Sequence, residues 1–513
     1  MLKPTRGTIA AGNQKTAAAG IEMLQLGGNA FDAAAAAVLA SFVTESTLTS
    51  AAGGGFLLAH TQKNENILFD FFSQTPRSKK LQTNPNFYPV DINFGNVIQE
   101  FHIGLGSMAV PGNIGGIFHV HNKLGRLPFK VVAEPAIYYA KNGVKLEEFQ
   151  HYSASILKPI IFAAPEMKNV YAPNGQMLKT GETFFMKDFA NTLAYLVEVG
   201  VENFYQGDIA HKLVKDCQEY GGYLTLEDLK SYQVIERQPL VINYRNNLLL
   251  TNPSPSSGGI LIAFALELLA KINLINIGFG SPEHLQILTE VMRLTNAARK
   301  DKYNSSIYQE NIEQSFLSAE HVAQYTQQLT DSVNKWGSTT YISVIDAEGN
   351  AASTTTSHGE GCGYVIPGTG IMMNNMLGEE DLNPYGFHQW QENVRISSMM
   401  SPTIVLKNNQ PEIALGSGGS NRIRTAILQV ISNIIDFKMP VDLAVNSPRI
   451  HWENNVLNIE PGLSITGANL TEDQLILWDR QNMFFGGVHT AMEFEGIITG
   501  AGDRRRNGAI ASL

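Results

Sequence analysis

Residues 337–357 constrain the fold more than any other segment, because they have the pattern of a complete β-hairpin. After Thr339, polar and apolar residues alternate through YISVID, which is the period of a strand with two different faces. The residues AEGN at 347–350 supply turn chemistry, and AASTTTS at 351–357 forms a second run rich in β-branched residues. We therefore predict a hairpin that begins at Thr339 and returns Ser357 to its neighbourhood.

The position of Thr339 at the start of this hairpin also predicts a chemistry. A threonine that becomes a new amino terminus carries its own base, since an α-amine has a pKa of about 8 compared with about 10 for lysine. The small residue Ser338 precedes it, and a glycine-rich turn, GSGGSNR, follows at 416–422. A threonine pair alone is also an ordinary strand start. In this context the sequence predicts cleavage between Ser338 and Thr339 and an amidase that acts through the Thr339 hydroxyl.

Composition excludes some classes of partner. The chain has 513 residues and a formal net charge of -10, which disfavours nucleic acids and anionic membranes as partners. Its histidines show no HExxH spacing, and Cys217 and Cys362 form no CxxC pair. We therefore expect no metal site, and a disulfide between the two cysteines stays open.

Several segments have clear secondary-structure signals. Helices are predicted at 30–43 with Asn29 as the N-cap, at 131–142, at 208–220 and at 260–269, and a second hairpin at 56–72. The apolar run at 260–269 is too short to span a bilayer, and the amino terminus has no continuous apolar stretch, so we expect a cytoplasmic protein. Residues 307–338 are polar with few apolar anchors and are predicted to be a mobile connector.

Many short motifs occur in one order along nearly the whole chain. They are GGNAFDAA, AAGGGF, MAVPGNIGG, GGYLTLEDLKSY, PSPSSGG, STTYISVIDAEGN, GIMMNNM, SSMMSPT and GSGGSNR. In this order the chain resembles the γ-glutamyltransferase family of amino-terminal nucleophile hydrolases. The resemblance implies an α+β fold, a four-layer αββα sandwich with two mainly antiparallel sheets between helical layers. It also implies cleavage into a large subunit, 1–338, and a small subunit, 339–513, which stay together, with no metal or organic cofactor.

The resemblance assigns roles to individual residues. Thr339 is the nucleophile, and Ser357 falls where the family usually has a threonine that hydrogen-bonds it. The backbone amides of Gly419 and Ser420 fall where the family has its oxyanion donors. The residues implied in substrate binding are Asn375, Glu379, Ser397 and Ser398. Of these, the serine pair contacts the glutamyl carboxylate, and Glu379 is the first choice for holding the substrate ammonium, with Glu380 and Asp381 nearby.

The chain departs from the family at one consequential position. Relatives that act on glutathione have an Arg-Glu pair where this chain has Phe72 and Ser73, and that arginine clamps the substrate α-carboxylate. Losing such a contact costs roughly 1.5 to 3 kcal/mol. The arginines considered as substitutes, without a choice among them, are Arg77, Arg395 and Arg422.

Two further departures concern the surroundings of the site. The segment at 376–397 is short compared with the lid of some relatives, which favours hydrolysis over transfer to an acceptor. Tyr341 stands where many relatives have histidine.

Three hypotheses follow. The leading one is a self-processing threonine amidase of a small γ-glutamyl or related acyl amide. The second keeps the fold and the cleavage but acts as a glutaryl-type acylase or a small oxo-acid amidohydrolase. The third is an uncleaved, non-catalytic scaffold. The expected partners are a small acyl amide substrate and the two subunits of one precursor, and further pairing of heterodimers stays open.

Overall fold

The computed structural model describes residues 3–79, 84–93, 98–325, 339–383, 385–468, 470 and 474–513. Its strands in chain order are β1 Gly7–Ala11, β2 Gly54–His60, β3 Asn66–Phe71, β4 Tyr88–Asn93, β5 Ile98–Ile103, β6 Val144–Lys145, β7 Thr183–Phe184, β8 Ile235–Arg237, β9 Leu240–Tyr244, β10 Asn247–Thr251, β11 Thr340–Asp346, β12 Ala351–Ser357, β13 Val365–Ile366, β14 Ile371–Met372, β15 Thr403–Lys407, β16 Gln410–Leu415, β17 Ile450–Glu453, β18 Val456–Ile459, β19 Gln474–Leu477, β20 Thr490–Phe494, β21 Ile497–Ala501 and β22 Ala509–Ser512.

The α-helices in chain order are α1 Gln14–Gln25, α2 Ala30–Thr44, α3 Asn113–Leu124, α4 Phe129–Asn142, α5 Glu148–Ile156, α6 Lys158–Ala163, α7 Pro165–Tyr171, α8 Lys187–Val199, α9 Glu202–Gln206, α10 Asp208–Tyr220, α11 Leu226–Lys230, α12 Ser257–Leu269, α13 Leu274–Ile277, α14 Pro282–Ala298, α15 Ile312–Phe316, α16 Ala319–Tyr325, α17 Arg422–Ile435 and α18 Val441–Asn446. No helix among the described residues has both the length and the apolar character that a membrane crossing needs.

Two antiparallel sheets stack face to face at the centre of the molecule. The first has the order β22-β1-β11-β12-β2-β3-β8, and the second has the order β21-β20-β16-β15-β10-β9. Strands β1, β11 and β12 of the first sheet contact β15, β16 and β20 of the second. Successive side chains on a strand point to opposite faces, so the first sheet has one face toward the second sheet and one face toward helices.

Side chains of β2 show this division. Leu57 belongs to the core formed with α1 to α4, whereas Phe56 and Leu58 belong to the core that includes the second sheet. Helices α12, α14 and α17 share that second core and form the outer layer on the far side. The order of layers is helix, sheet, sheet, helix, which confirms the predicted αββα sandwich.

Helix α2 illustrates how the local sequence determines an element. The Asn29 side chain accepts hydrogen bonds from the backbone of Phe31 and Asp32, and Asp32 completes a capping box. The helix is buried along its whole length, because small alanines let neighbouring elements approach closely. A Cβ on Gly20 of α1 would lie 2.8 Å from the Ala33 carbonyl oxygen. The predicted helix is therefore confirmed.

The predicted hairpin at residues 339–357 is also confirmed. Strands β11 and β12 pair in the register Thr340 with Thr356 through Ile345 with Ala351. Thr339 directly precedes β11, so it lies one position beyond the first pair and opposite Ser357. Strand β1 pairs with the other edge of β11, which places the start of the hairpin in the middle of the first sheet.

The first part of the predicted mobile connector is helical in the structure. Residues 312–325 contain α15 and α16, and the apolar side chains of Ile312, Phe316 and Val322 are buried. Few apolar residues occur here, but Ile312 and Phe316 are four apart on one helix face, and the Phe316 ring packs on Phe264. Residues 326–338, including Ser338 of the predicted cleavage site, lie outside the described residues.

Candidate active site

A pocket of about 1070 Å³, including its open mouth, lies at the start of β11. Thr339 and Ser357 line it on one side, together with Ser420 from the glycine-rich turn. Much of the remaining wall is apolar or aromatic and comes from Phe72, Ile307, Tyr308, Met376, Trp390, Ile396, Met399 and Met400. Parts of the chain before and after the predicted cleavage site therefore build one pocket.

Thr339 is held firmly although it precedes the strand. It is 5% exposed, and its carbonyl oxygen accepts a hydrogen bond of 3.1 Å from Nη1 of Arg506. The next residue, Thr340, donates its hydroxyl to Oε2 of the buried Glu45 at 2.5 Å. Successive strand residues face opposite sides, so the Thr340 contact anchors the backbone from the helical side while Thr339 lines the pocket.

The glycine-rich turn at 416–420 lies against Thr339. A Cβ on Gly418 would be 2.2 Å from the Thr339 carbonyl oxygen, so only glycine fits there. Gly419 and Ser420 have φ values of 124° and 50°, and within the described residues no acceptor is recorded for their backbone N–H groups. Helix α17 begins two residues later, and its amino-terminal end adds partial positive charge. The turn can therefore stabilise a negative charge in the pocket.

Ser357 is the last residue of β12. Its Oγ accepts a hydrogen bond of 2.9 Å from the backbone N–H of Gly359. Because the hydroxyl also lines the pocket, it is placed where the sequence predicts it, across the hairpin from Thr339.

Of the candidates for holding the substrate ammonium, Glu379 and Asp381 line the pocket and Glu380 does not. The predicted substrate-binding residue Asn375 does not line it either. Glu379 is 8% exposed, and within the described residues its Oε1 has no hydrogen-bond partner. Burial raises the pKa of Glu379 well above its usual value, and the carboxylates of Glu360 and Asp381 add to the shift. The Asn375 side chain instead accepts from the Glu360 backbone at 2.9 Å and donates to the His102 carbonyl, which is a structural arrangement.

The predicted serine pair lies in the pocket wall. Ser397 and Ser398 both line the pocket, and the Ser397 hydroxyl is 2.9 Å from that of Ser257. The Ser257 backbone donates to the Ser398 carbonyl at 2.8 Å. The residues at the start of α12 therefore hold the serine pair in position. This contact gives the PSPSSGG motif, which contains Ser257, a structural role in the site.

Phe72 forms an apolar wall where glutathione-cleaving relatives are expected to have arginine. It is 1% exposed, and its ring stacks on Phe56 with centroids 5.4 Å apart. The guanidinium of Arg395 lies behind this wall, where it donates to the Phe72 carbonyl and to the Tyr232 hydroxyl. The Ser73 hydroxyl is buried as well. Among the described residues, none that lines this part of the pocket is a cation.

The other two arginines considered from the sequence do not line the pocket either. Arg77 is exposed and bonds Ser231. Arg422 is buried with its guanidinium over the Phe484 ring. Among the described lining residues the only arginine or lysine is Arg299, at the start of a π-helical turn after α14. No sequence motif points to Arg299, because its approach to the pocket depends on how α14 packs.

The segment at 376–397 is short, yet it forms much of the pocket wall. Met376, Leu382, Tyr385, Trp390 and Ile396 from this segment all line the pocket. These residues are therefore part of the site, and the shortness of the segment relative to the lid of some relatives stays a prediction.

Tyr341, at the family's usual histidine position, is not among the residues that line the pocket. Its ring stacks on His489 with centroids 4.2 Å apart, and burial raises the pKa of its hydroxyl well above the usual value. The cysteines at 217 and 362 are both buried and form no disulfide with each other. None of these groups contributes to the pocket.

Comparisons with known proteins agree with this geometry. A family model described as Gamma-glutamyltranspeptidase matches residues 16–513. The glutathione hydrolase proenzyme of Escherichia coli (strain K12) is 28% identical over 510 residues, covering 92% of this chain and 85% of that protein. A cephalosporin acylase structure from Bacillus halodurans has a TM-score of 0.85 at 24% identity, covering 99% of this chain and 96% of that chain.

The gamma-glutamyltranspeptidase structure from Helicobacter pylori is 26% identical with a TM-score of 0.55, covering 63% of this chain and 91% of that chain. Because the family match spans almost the whole sequence, the scaffold hypothesis is no longer favoured. The chain belongs to the gamma-glutamyltranspeptidase family and is an enzyme.

Proposed function

We propose that the protein cleaves itself between Ser338 and Thr339 and then hydrolyses a small acyl amide through an acyl-enzyme on Thr339. The observation that carries this proposal is the position of Thr339. It lies in the wall of the pocket, with the turn at 416–420 packed against its carbonyl group. The relative in Escherichia coli is named a proenzyme, which supports the processing step.

In the proposed reaction the free α-amine of Thr339 takes the proton of its own hydroxyl, directly or through water, as Oγ attacks the substrate carbonyl carbon. The oxyanion accepts hydrogen bonds from the backbone N–H groups of Gly419 and Ser420. When the intermediate collapses, the carbon–nitrogen bond breaks and the α-ammonium returns its proton to the leaving amine. Water then attacks the ester by the same route, which releases the acid and restores Thr339.

The acyl group we propose first is γ-glutamyl or a close relative of it. The Escherichia coli relative is named a glutathione hydrolase. A substrate ammonium would have a counter-charge in Glu379, whose buried Oε1 has no partner within the described residues. Binding of a cation there would offset the cost of burying this carboxylate.

A glutaryl-type acylase is the second candidate, and the environment of Glu379 is the observation that favours it. Burial raises the pKa of Glu379 well above its usual value, and a protonated carboxyl group gives an α-ammonium no counter-charge, whereas a glutaryl group needs none. Hydrolysis of γ-glutamyl-4-nitroanilide and glutaryl-4-nitroanilide separates the two candidates, because the substrates differ only in the α-ammonium group. A preference for the γ-glutamyl compound supports the first candidate, and a preference for the glutaryl compound supports the second.

Self-cleavage is tested by the mass of the purified chain. We expect two fragments of about 37 and 19 kDa, in proportion to chain length, and the smaller one should begin Thr-Thr-Tyr-Ile. Thr339→Ala should remain whole because the nucleophile is lost. Thr183→Ala is the matched control, since Thr183 is exposed and lies in β7 outside the pocket. A wild-type chain that stays intact and inert toward acyl amides after long incubation would contradict the proposal.

A further inference from the structure

Arg299 is the only arginine or lysine among the described residues that line the pocket. Its Nε donates to Oδ1 of Asn304 at 3.3 Å, and its Nη1 donates to Oδ1 of Asn421 at 3.1 Å. Both acceptors are neutral amides. Within the described residues no carboxylate forms an ion pair with Arg299, although the side chain is only partly exposed. A half-buried guanidinium of this kind retains the capacity to bind a carboxylate.

Asp381 and Glu453 lie near enough to Arg299 for its charge to act on them, but within the described residues neither forms an ion pair with it. Asp381 lines the pocket and accepts a hydrogen bond from the Ser420 hydroxyl. Glu379 also lines the pocket, and burial, followed by the carboxylates of Glu360 and Asp381, raises its pKa. The guanidinium therefore faces a pocket that has room for a further anion.

The contact with Asn421 places Arg299 close to the reacting atoms. Asn421 directly follows Ser420, whose backbone N–H is a proposed oxyanion donor, and the same turn packs on Thr339. A carboxylate bound at Arg299 would thus lie in the same pocket as the carbonyl carbon under attack. The wall at Phe72 is apolar and offers such a group no partner.

We infer that Arg299 binds a carboxylate of the substrate and selects acyl amides that carry an anion near the scissile bond. The inference rests on the proposed function and deepens it. The carboxylate has two sources, the acyl group or the leaving amine, and the same guanidinium could receive either. Arg299, which follows α14, then takes the role of the arginine that glutathione-cleaving relatives have at the position of Phe72.

Three substrates and two variants test this inference. Glutaryl-4-nitroanilide carries the anion on the acyl side, the valeryl amide of 5-amino-2-nitrobenzoic acid carries it on the leaving side, and valeryl-4-nitroanilide has none. Arg299→Met should raise KM by about ten- to a hundredfold for the substrate whose anion it binds, and KM for the neutral substrate should stay within about twofold. Arg299→Lys should fall between wild type and Arg299→Met.

Arg293→Met is the matched control, because Arg293 lies on α14 in an ion pair with Glu290 and does not line the pocket. A role as a structural brace for Asn421 predicts an equal fall in kcat for all three substrates, and that result would overturn the inference. An equal effect in the Arg293 variant would overturn it as well.

A binding measurement separates failure of this inference from failure of the proposed function. Glutarate can be titrated into wild type and Arg299→Met by calorimetry, which needs no turnover. We expect the variant to bind glutarate at least about tenfold more weakly. Equal affinity in the two proteins would overturn the role of Arg299 even in an active enzyme. An uncleaved, inactive wild type would instead count against the proposed function, whatever the affinities.

Discussion

Among single residues, the buried Glu45 has the most unusual environment near the nucleophile. It is 1% exposed, with Oε2 accepting from the Thr340 hydroxyl at 2.5 Å and Oε1 from the Thr16 hydroxyl at 2.8 Å. Burial raises its pKa to about 7, although these two hydrogen bonds oppose the shift. The ionised form of Glu45 therefore destabilises the folded protein at neutral pH. The same carboxyl group contacts Thr340, the first residue of β11.

We predict that Glu45→Gln stabilises the protein at pH 8 more than at pH 5. The folded-state pKa of Glu45 lies above its unfolded value of 4.5, so the stability from the protonated group is present below about pH 4.5 and is lost as pH rises through 7. Glutamine stays neutral and avoids that loss. The gain in unfolding free energy relative to wild type should be larger at pH 8, by up to about 3 kcal/mol.

Urea unfolding of the variant and of wild type at the two pH values measures this difference. Glu148→Gln serves as the control, because Glu148 is exposed and should show little change at either pH. The same effect of Glu45→Gln at pH 5 and pH 8 would argue against a raised pKa at this site.

At the scale of elements, the turn between β16 and α17 acts through its close approach to Thr339. We predict that Gly418→Ala lowers turnover by about a hundredfold or more, because its Cβ would lie 2.2 Å from the Thr339 carbonyl oxygen and one of the two backbones must move. Gly416→Ala in the same turn is the control, since the nearest atom there is 3.3 Å away.

Turnover and self-cleavage of both glycine variants should be measured beside their thermal unfolding. The expected pattern is a folded Gly418 variant with a low rate and a Gly416 variant close to wild type. A Gly418 variant with normal turnover would show that the position of the turn does not control the oxyanion donors.

The elements that the sequence predicts well are those determined by neighbouring residues. The capping box of α2 and the hairpin of β11 and β12 depend on contacts within a few positions, and the structure has both. The connector was predicted less well, because α15 and α16 are held by packing on the distant Phe264. Local composition alone cannot reveal an anchor of that kind.

The same distinction applies to the site. Thr339, Ser357 and the turn at 416–420 follow from motifs, and the structure places them around one pocket. No sequence motif marks Arg299 or Glu45, because each residue is brought to the site by the way a helix packs. Arg506 contacts Thr339 although the two residues are 167 positions apart, and no motif in the sequence predicts this contact.

For the whole molecule, the topology of the first sheet decides what happens after cleavage. Strands β11 and β12 follow the proposed cut, yet they lie between β1 and β2, which precede it. Strand β22 pairs with the other edge of β1. In the second sheet β15 of the later part pairs with β10 of the earlier part. Separation of the two fragments would therefore break ladders in both sheets and open the buried core between them.

We predict that the cleaved protein remains one particle under native conditions. Its gel-filtration volume should match that of uncleaved Thr339→Ala, at no less than the 56.2 kDa of the whole chain, while a denaturing gel shows two bands. The unfolding midpoint of the cleaved form should rise with protein concentration, because unfolding also separates the fragments, whereas that of Thr339→Ala should not. Elution of the smaller fragment alone without denaturant would contradict the interleaved topology. A separated fragment would lose its strand pairing in both sheets and the side chains that pack against its core.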